Sequence, residues 1–268
     1  MLLPLAGRRL YYDLAGPEDG PVVCITHSLA SDGGSWAEQL PALLQAGYRV
    51  LRLDMRGHGG SDPVPGDYTM AALADDVAAA LAALGFDRVH YIGLSIGGMI
   101  GQAFALQHAG RLISAMWCDT LPASPKGAAE QWAERMGIVR GANSLAPIAD
   151  ATMERWFTDA FKTANPGRWR QIRDTIAATT PAGYLGCSAA IMNYDFVPRL
   201  PSVRLPILVV CGEHDPGTPA SENRLLAGLI PGARYEEIAG MRHFPNVEAP
   251  GAFNRIMLDW LDSRRSAR

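Results

Sequence analysis

The stretch Val89-His90-Tyr91-Ile92-Gly93-Leu94-Ser95-Ile96-Gly97-Gly98-Met99 decides how this chain folds. The apolar run Val89 to Ile92 reads as a buried strand, and Gly97 to Gln107 reads as a helix. Between them lies the pentapeptide Gly93-Leu94-Ser95-Ile96-Gly97, a G-x-S-x-G motif that seats a serine on a sharp strand-to-helix turn. Such a turn strains the serine backbone, and a side chain two residues before or after it would strike the neighbouring chain. Glycine at 93 and at 97 removes that collision.

Outward from this turn, short β-type runs alternate with helical patterns: Val22 to Thr26, Arg49 to Leu53, Leu112 to Cys118, Ile207 to Cys211 and Arg234 to Ile238. The alternation predicts an α/β fold, a mostly parallel central sheet flanked by helices. Leu10 to Leu14, before the turn-rich Gly16-Pro17-Glu18-Asp19-Gly20, reads as an antiparallel strand entering the sheet. From Thr69 to Leu84 the period is helical, with Leu73, Val77, Leu81 and Leu84 on one face, Asp75 and Asp76 off it, and Gly85 as the stop.

The alternation fails between Leu121 and Arg204. Helical segments are expected there at Ala128 to Val139, Ala149 to Phe161 and Arg168 to Thr179. Pro122, Pro125, Pro198, Pro201 and Pro206 mark the two junctions. The expected organisation is a core of residues 1–120 and 205–268 with a helical cap, 121–204, inserted in it.

With 24 Lys and Arg against 27 Asp and Glu, the charge is nearly balanced, and the only basic cluster is the short tail of Arg264, Arg265 and Arg268. This argues against nucleic acid as a partner and against polybasic attachment to a membrane. No apolar run reaches the ~18 residues of a membrane span. The apolar opening, Met1 to Leu5, is too short for a signal-peptide core, and its arginines, Arg8 and Arg9, follow it. Cys24, Cys118, Cys187 and Cys211 show no C-x-x-C spacing, so buried free thiols in a reducing cytoplasm are expected. Homo-oligomerisation stays open.

A serine hydroxyl needs a base within hydrogen-bond reach and a third group to orient that base. Six histidines compete. His243 follows the last expected strand, in Gly240-Met241-Arg242-His243-Phe244-Pro245, where loops after parallel strands converge on one sheet edge. His214 is a rival beside Asp215; His58 reads as a loop-packing residue, and His90 and His108 as structural. No histidine pair has the spacing of a helical zinc site, so no metal is expected. Asp215 follows the strand Ile207 to Cys211 and is the candidate orienting acid; Asp119, at the end of Leu112 to Cys118, is its alternative. Backbone amides of Leu29 and Ile96 are the candidate oxyanion donors. Trp36, Met99 and Trp156 are the candidate pocket residues, with Trp132 and Met192 as weaker ones.

His27-Ser28-Leu29, the loop Asp54 to Ser61, Gly93 to Gly98, Asp215, and His243 followed by Glu248-Ala249-Pro250 together resemble the α/β-hydrolase superfamily over nearly the whole chain. Ser28-Leu29-Ala30-Ser31-Asp32 with Trp36, Gly93 to Gly101, Arg155-Trp156-Phe157-Thr158 and Ile172-Arg173-Asp174 look most like 3-oxoadipate enol-lactonases, with related carboxylesterases sharing His at 27. The resemblance implies the α/β-hydrolase fold and a cofactor-free serine hydrolase acting on a small-molecule ester or lactone in aromatic catabolism. Its triad falls on Ser95, His243 and Asp215. Arg135, Arg140, Arg155, Arg168, Arg170 and Arg173 are cap arginines able to receive a carboxylate. A ligand receptor built on the same fold is the reading from a different class.

Overall fold

The computed structural model describes residues 1–124 and 127–265. Pro125 and Arg268, named above, lie outside the described residues. The chain opens with a hairpin, β1 (Leu2–Leu5) and β2 (Arg8–Ala15), and then alternates through β3 (Val22–Thr26), α1 (Leu40–Gln45), β4 (Arg49–Leu53), α2 (Met70–Ala83), β5 (Val89–Leu94), α3 (Ile96–Gln107) and β6 (Leu112–Cys118). Five helices then precede the next named strand: α4 (Ala129–Ala142), α5 (Ala146–Trp156), α6 (Asp159–Ala164), α7 (Pro166–Ala178) and α8 (Pro181–Met192). The sheet resumes with β7 (Ile207–Gly212), α9 (Ala220–Leu229) and β8 (Arg234–Ile238), and the short α10 (Pro245–Glu248) leads into α11 (Pro250–Asp262). Among the described residues no helix is long and apolar enough to cross a membrane.

The eight strands form one sheet in the order β1-β2-β4-β3-β5-β6-β7-β8. β1 and β2 run antiparallel, as does β2 against β4, with Tyr12 opposite Leu53; every pairing from β4 to β8 is parallel. Helices on both faces bury β5 and β7 along their whole length, which is why those strands read as unbroken apolar runs. Since six strands point the same way, the loops after β3, β4, β5, β6, β7 and β8 leave from one edge of the sheet.

The expected strands are present, with β5 and β7 running on to Leu94 and Gly212. β1 was not expected: four residues carry too short a pattern, and pairing with Leu10 and Tyr11 supplies what local sequence lacks. Asp76, although off the apolar face of α2, does not face solvent. It is buried on α2 because Arg8 and Arg56 both reach it, Arg56 Nη2 donating to Oδ1 at 2.9 Å. All four cysteines are buried and free.

In the inserted helices, the expected segment Ala149 to Phe161 is two helices. Phe157 is extended, and the Thr158 side chain accepts from the Phe161 amide to start α6 afresh. α8 escaped detection because it is buried nearly all round and carries no polar stripe. Its Gly183 lies against the loop after β4, where a Cβ would come within 2.7 Å of the Gly57 backbone. Thr180 Oγ1 donates to Gly57 O at 2.8 Å at the same junction. Further along, Arg168 of α7 donates to both carboxylate oxygens of Glu38 and to Gly34 O.

Candidate active site

Ser95 has φ 59° and ψ −118°, a region that side-chain-bearing residues rarely occupy. Hydrogen bonds on either side hold it there: its amide donates to Cys118 O at 2.8 Å, and Thr120 Oγ1 donates to Ser95 O at 2.8 Å. The flanking glycines are steric necessities. A Cβ at Gly93 would run into the Gly97 backbone, and one at Gly97 would lie 2.7 Å from Thr26 O. Strain concentrated on one serine, with its surroundings over-determined, is how a fold exposes a nucleophile at the head of a helix.

The loop after β3 is set by His27. Met55 N donates to His27 Nε2 at 3.0 Å, so Nδ1 carries the proton and donates to Ser28 O at 2.8 Å. Beyond it Ala30 takes φ 59°. Among the described residues no acceptor is hydrogen-bonded to the amides of Leu29 or Ile96, and Leu29 shares a cavity with Ser95. Free amides at those two positions are what an oxyanion site requires. His58 packs beside His27 with ring centroids 5.4 Å apart, and burial together with that neighbour pushes its pKa down to about 3. It is a neutral packing residue, as expected.

The loops after β7 and β8 bring Asp215 and His243 together. His243 Nδ1 donates to Asp215 Oδ2 at 2.6 Å, and both side chains are buried. Asp215 Oδ1 accepts from the Gly217 and Thr218 amides at 2.8 and 3.2 Å, and Thr218 Oγ1 donates to Oδ2. Burial opposes ionisation of Asp215, but His243 and these donors outweigh it and hold the carboxyl below its ordinary range. The bond to Nδ1 leaves Nε2 for chemistry. His214, the rival, is exposed with its ring 3.9 Å from Glu213. His90 binds Ser114 within the sheet, and His108 pairs with Asp75.

One oxygen each of Asp119 and Asp215 and a ring nitrogen of His243 lie within 4.8 Å of one another, the only such group found among the described residues. The Asp215–His243 hydrogen bond makes this an acid–base pair with a second carboxyl beside it. Asp119 itself makes no hydrogen bond to the histidine; its Oδ1 accepts from Gly212 N at 2.8 Å.

Ser95, His243 and Asp215 line one cavity of about 640 Å³ between the sheet edge and the inserted helices. Met99, Trp156 and Trp132 line it; Met192 is not among the lining residues. Trp156 packs at 6.3 Å from the His243 ring. Trp36 is a correction. It is fully buried, donates from Nε1 to Thr26 O at 3.3 Å and packs on Phe253, away from the cavity. The turn Gly33–Trp36, started by Asp32 accepting from the Gly34 amide, rotates the indole into the core, so closeness in sequence to Leu29 says nothing of its direction. Sequence reading also missed Tyr184 and Thr218. The first sits on the undetected α8, whereas Thr218 had a signal in its place three residues after Asp215, where a hydroxyl bonds back to an aspartate-led turn.

Of the cap arginines, Arg168 and Arg173 are spent on Glu38 and Asp150, and Arg140 and Arg170 are exposed. Arg135 and Arg155 line the cavity, and among the described residues neither has a carboxylate within salt-bridge distance. Arg155 bonds only Thr152 Oγ1, at 3.2 Å, while burial and the neighbouring Arg135 lower its pKa.

A sheet of this order, a strained serine at the head of the helix after β5 and an acid–histidine pair on the loops after β7 and β8 define a hydrolase of the α/β class. Residues 21–250 match the family described as alpha/beta hydrolase fold, and the chain belongs to that family. It is 30% identical to the 3-oxoadipate enol-lactonase 1 of Acinetobacter baylyi across 98% of this chain and 97% of that protein. The crystal structure of the enol-lactonase from Burkholderia xenovorans LB400 is similar with a TM-score of 0.93 and 34% identity, covering 98% of this chain and all of the other. A malate-bound thermophilic esterase from Thermogutta terrifontis is similar with a TM-score of 0.90 and 27% identity, covering 97% and 95%.

Proposed function

We propose that the chain is a serine hydrolase that opens a carboxylate-bearing enol-lactone of the 3-oxoadipate type through an acyl-enzyme. The observation that carries this reading is the pair Arg135 and Arg155, which line the same cavity as Ser95, His243 and Asp215 and, among the described residues, bond only to Gln131 O and Thr152 Oγ1 with no carboxylate within salt-bridge distance. Burial disfavours the charge of Arg155, and such a cation without a counter-ion is costly unless an anion arrives with the substrate.

In this reading Ser95 Oγ attacks the lactone carbonyl while His243 Nε2 takes its proton, and Asp215 steadies the imidazolium through Nδ1. The amides of Leu29 and Ile96 hold the oxyanion. Collapse breaks the ring carbon–oxygen bond, His243 returns the proton to the leaving enol, and both ends stay in one molecule bound to Ser95. Water activated by His243 then releases the acid. No cofactor enters. Residues 1–120 and 205–268 act as the catalytic core, and 121–204 as the cap that supplies the arginines. The four buried free thiols suit a reducing cytoplasm.

A second reading, a carboxylesterase of broad range, is favoured by the apolar wall of Leu29, Met99, Leu121, Ile148, Trp156 and Ile191. Steady-state hydrolysis of 3-oxoadipate enol-lactone beside short p-nitrophenyl esters, with Ser95→Ala as control, separates the two. Fast Ser95-dependent lactone opening with slow ester cleavage supports the lactonase, and the reverse supports the esterase. Binding without turnover on either would move the chain to the receptor class.

A further inference from the structure

Asp119 holds a conformation that the reaction above does not use. It ends β6 with φ 45°, an unfavourable backbone for a residue with a side chain. Its amide donates to Val210 O at 2.8 Å and its Oδ1 accepts from Gly212 N at 2.8 Å, so it is stitched to β7 just before Asp215. The residue is fully buried, and Oδ2 has no hydrogen-bond partner among the described residues. Asp215 contrasts sharply: the Gly217 amide, the Thr218 amide and hydroxyl, and the His243 ring all serve its two oxygens.

We propose that Asp119 stands in the folded protein as a neutral carboxylic acid, its proton on Oδ2 directed into the Asp215–His243 pair, where it is a positioning residue for Asp215. Two carboxyls this close cannot both be charged in a buried site, and the one with fewer donors keeps the proton. The groups facing Asp119 act in the same sense. Desolvation, then Asp215, then Glu248 push its pKa well above the ordinary range, against the Gly212 amide alone. The thiols of Cys118 and Cys211 are themselves pushed upward by burial and are uncharged, and His243 is committed to Asp215. A donor at Oδ2 draws charge from the Asp215 carboxylate, holding it toward Nδ1 while limiting its pull on the histidine's proton. This catalytic half rests on the hydrolase reading; the protonation itself does not.

The sign of the linkage makes the proposal testable without substrate. An aspartate in an unfolded chain ionises near pH 4, whereas folded Asp119 must keep its proton, so the stability it contributes is complete below that pH and falls as pH rises toward the folded pKa. Asparagine has the shape of the neutral acid and carries no such linkage. Thermal unfolding of wild type and Asp119→Asn from pH 4 to 9 is therefore expected to show a Tm difference in favour of the variant that widens by on the order of 3 °C per pH unit. A difference that stays flat or narrows overturns the neutral acid, whatever the substrate proves to be. With p-nitrophenyl acetate as probe, Asp119→Ala is expected to lower kcat/KM and move its acidic limb to higher pH, and Asp119→Asn to recover most of both. Asparagine no better than alanine, on a protein whose Tm test succeeds, overturns the positioning role and leaves the hydrolase reading untouched.

Discussion

The sheet edge and the helical insertion build one cavity by opposite means. At the edge, each functional group is tied to a strand end by backbone demands: the positive φ of Ser95, the collisions that exclude side chains at 93 and 97, and the turn that wraps Asp215 with Thr218. The insertion has few such demands. Its helices are held by side-chain bonds to the core, Arg168 to Glu38, Arg242 to the carbonyls of Glu154 and Phe157, and Glu248 Oε1 receiving the amide and hydroxyl of Thr158. In the proposed reading, chemistry falls to the edge, where backbone geometry fixes the residues, and selectivity to the insertion, which is fastened mainly by side chains.

The comparison breaks first if the edge can lose its nucleophile. On the proposed mechanism, Ser95→Ala is expected to reduce kcat by about 10⁶-fold, with the circular dichroism spectrum and Tm unchanged, because nucleophile, base and acid that act as a unit fail together. Residual turnover near wild type would remove Ser95 from the mechanism. Asp215→Asn should follow with about a 10⁴-fold fall in kcat, the orientation of His243 being lost. That variant also carries a pH signature. The depressed pKa of Asp215 gives stability that is full above the unfolded value and lost as pH falls through the lower folded one. Acid unfolding of wild type should thus be steeper below about pH 4 than that of Asp215→Asn.

At the cap, Arg155→Gln is expected to raise KM for the carboxylate-bearing lactone by roughly ten- to a hundredfold, the range of a hydrogen bond to a charged group. KM for a neutral p-nitrophenyl ester should stay within about twofold, since that ester brings no carboxylate to be received. Equal losses on both substrates would place Arg155 in the scaffold and return selectivity to the edge. The smallest effect belongs to the fastening itself. Arg168→Ala removes a partly exposed ion pair and should cost less than about 1 kcal/mol in chemical denaturation.

The two regions also differed in legibility. β3, β5, β6 and β7 were readable because a parallel sheet covered on both faces writes itself as continuous apolar runs, and the serine turn because only glycine fits its flanks. The insertion was readable as helical but not in its joints. Phe157 interrupts what periodicity runs together, and α8 has no polar face to detect. Trp36 shows the same limit inside the core: its position on the right loop was plain, but the side on which its indole lies depends on the turn at Gly33 and on Phe253 far along the chain.

By itself, the sequence determined the fold class and the strained serine, since these follow from burial repeated along a strand and from local sterics. Which carboxyl serves His243 was decided only by tertiary structure. Asp119 and Asp215 both end a strand at the same edge, and their roles part through the donors that distant residues bring to one and deny the other. The same holds for Arg135 and Arg155. Nothing local distinguishes them from Arg168 or Arg173, and only packing leaves these two lining the cavity with no carboxylate within salt-bridge distance among the described residues.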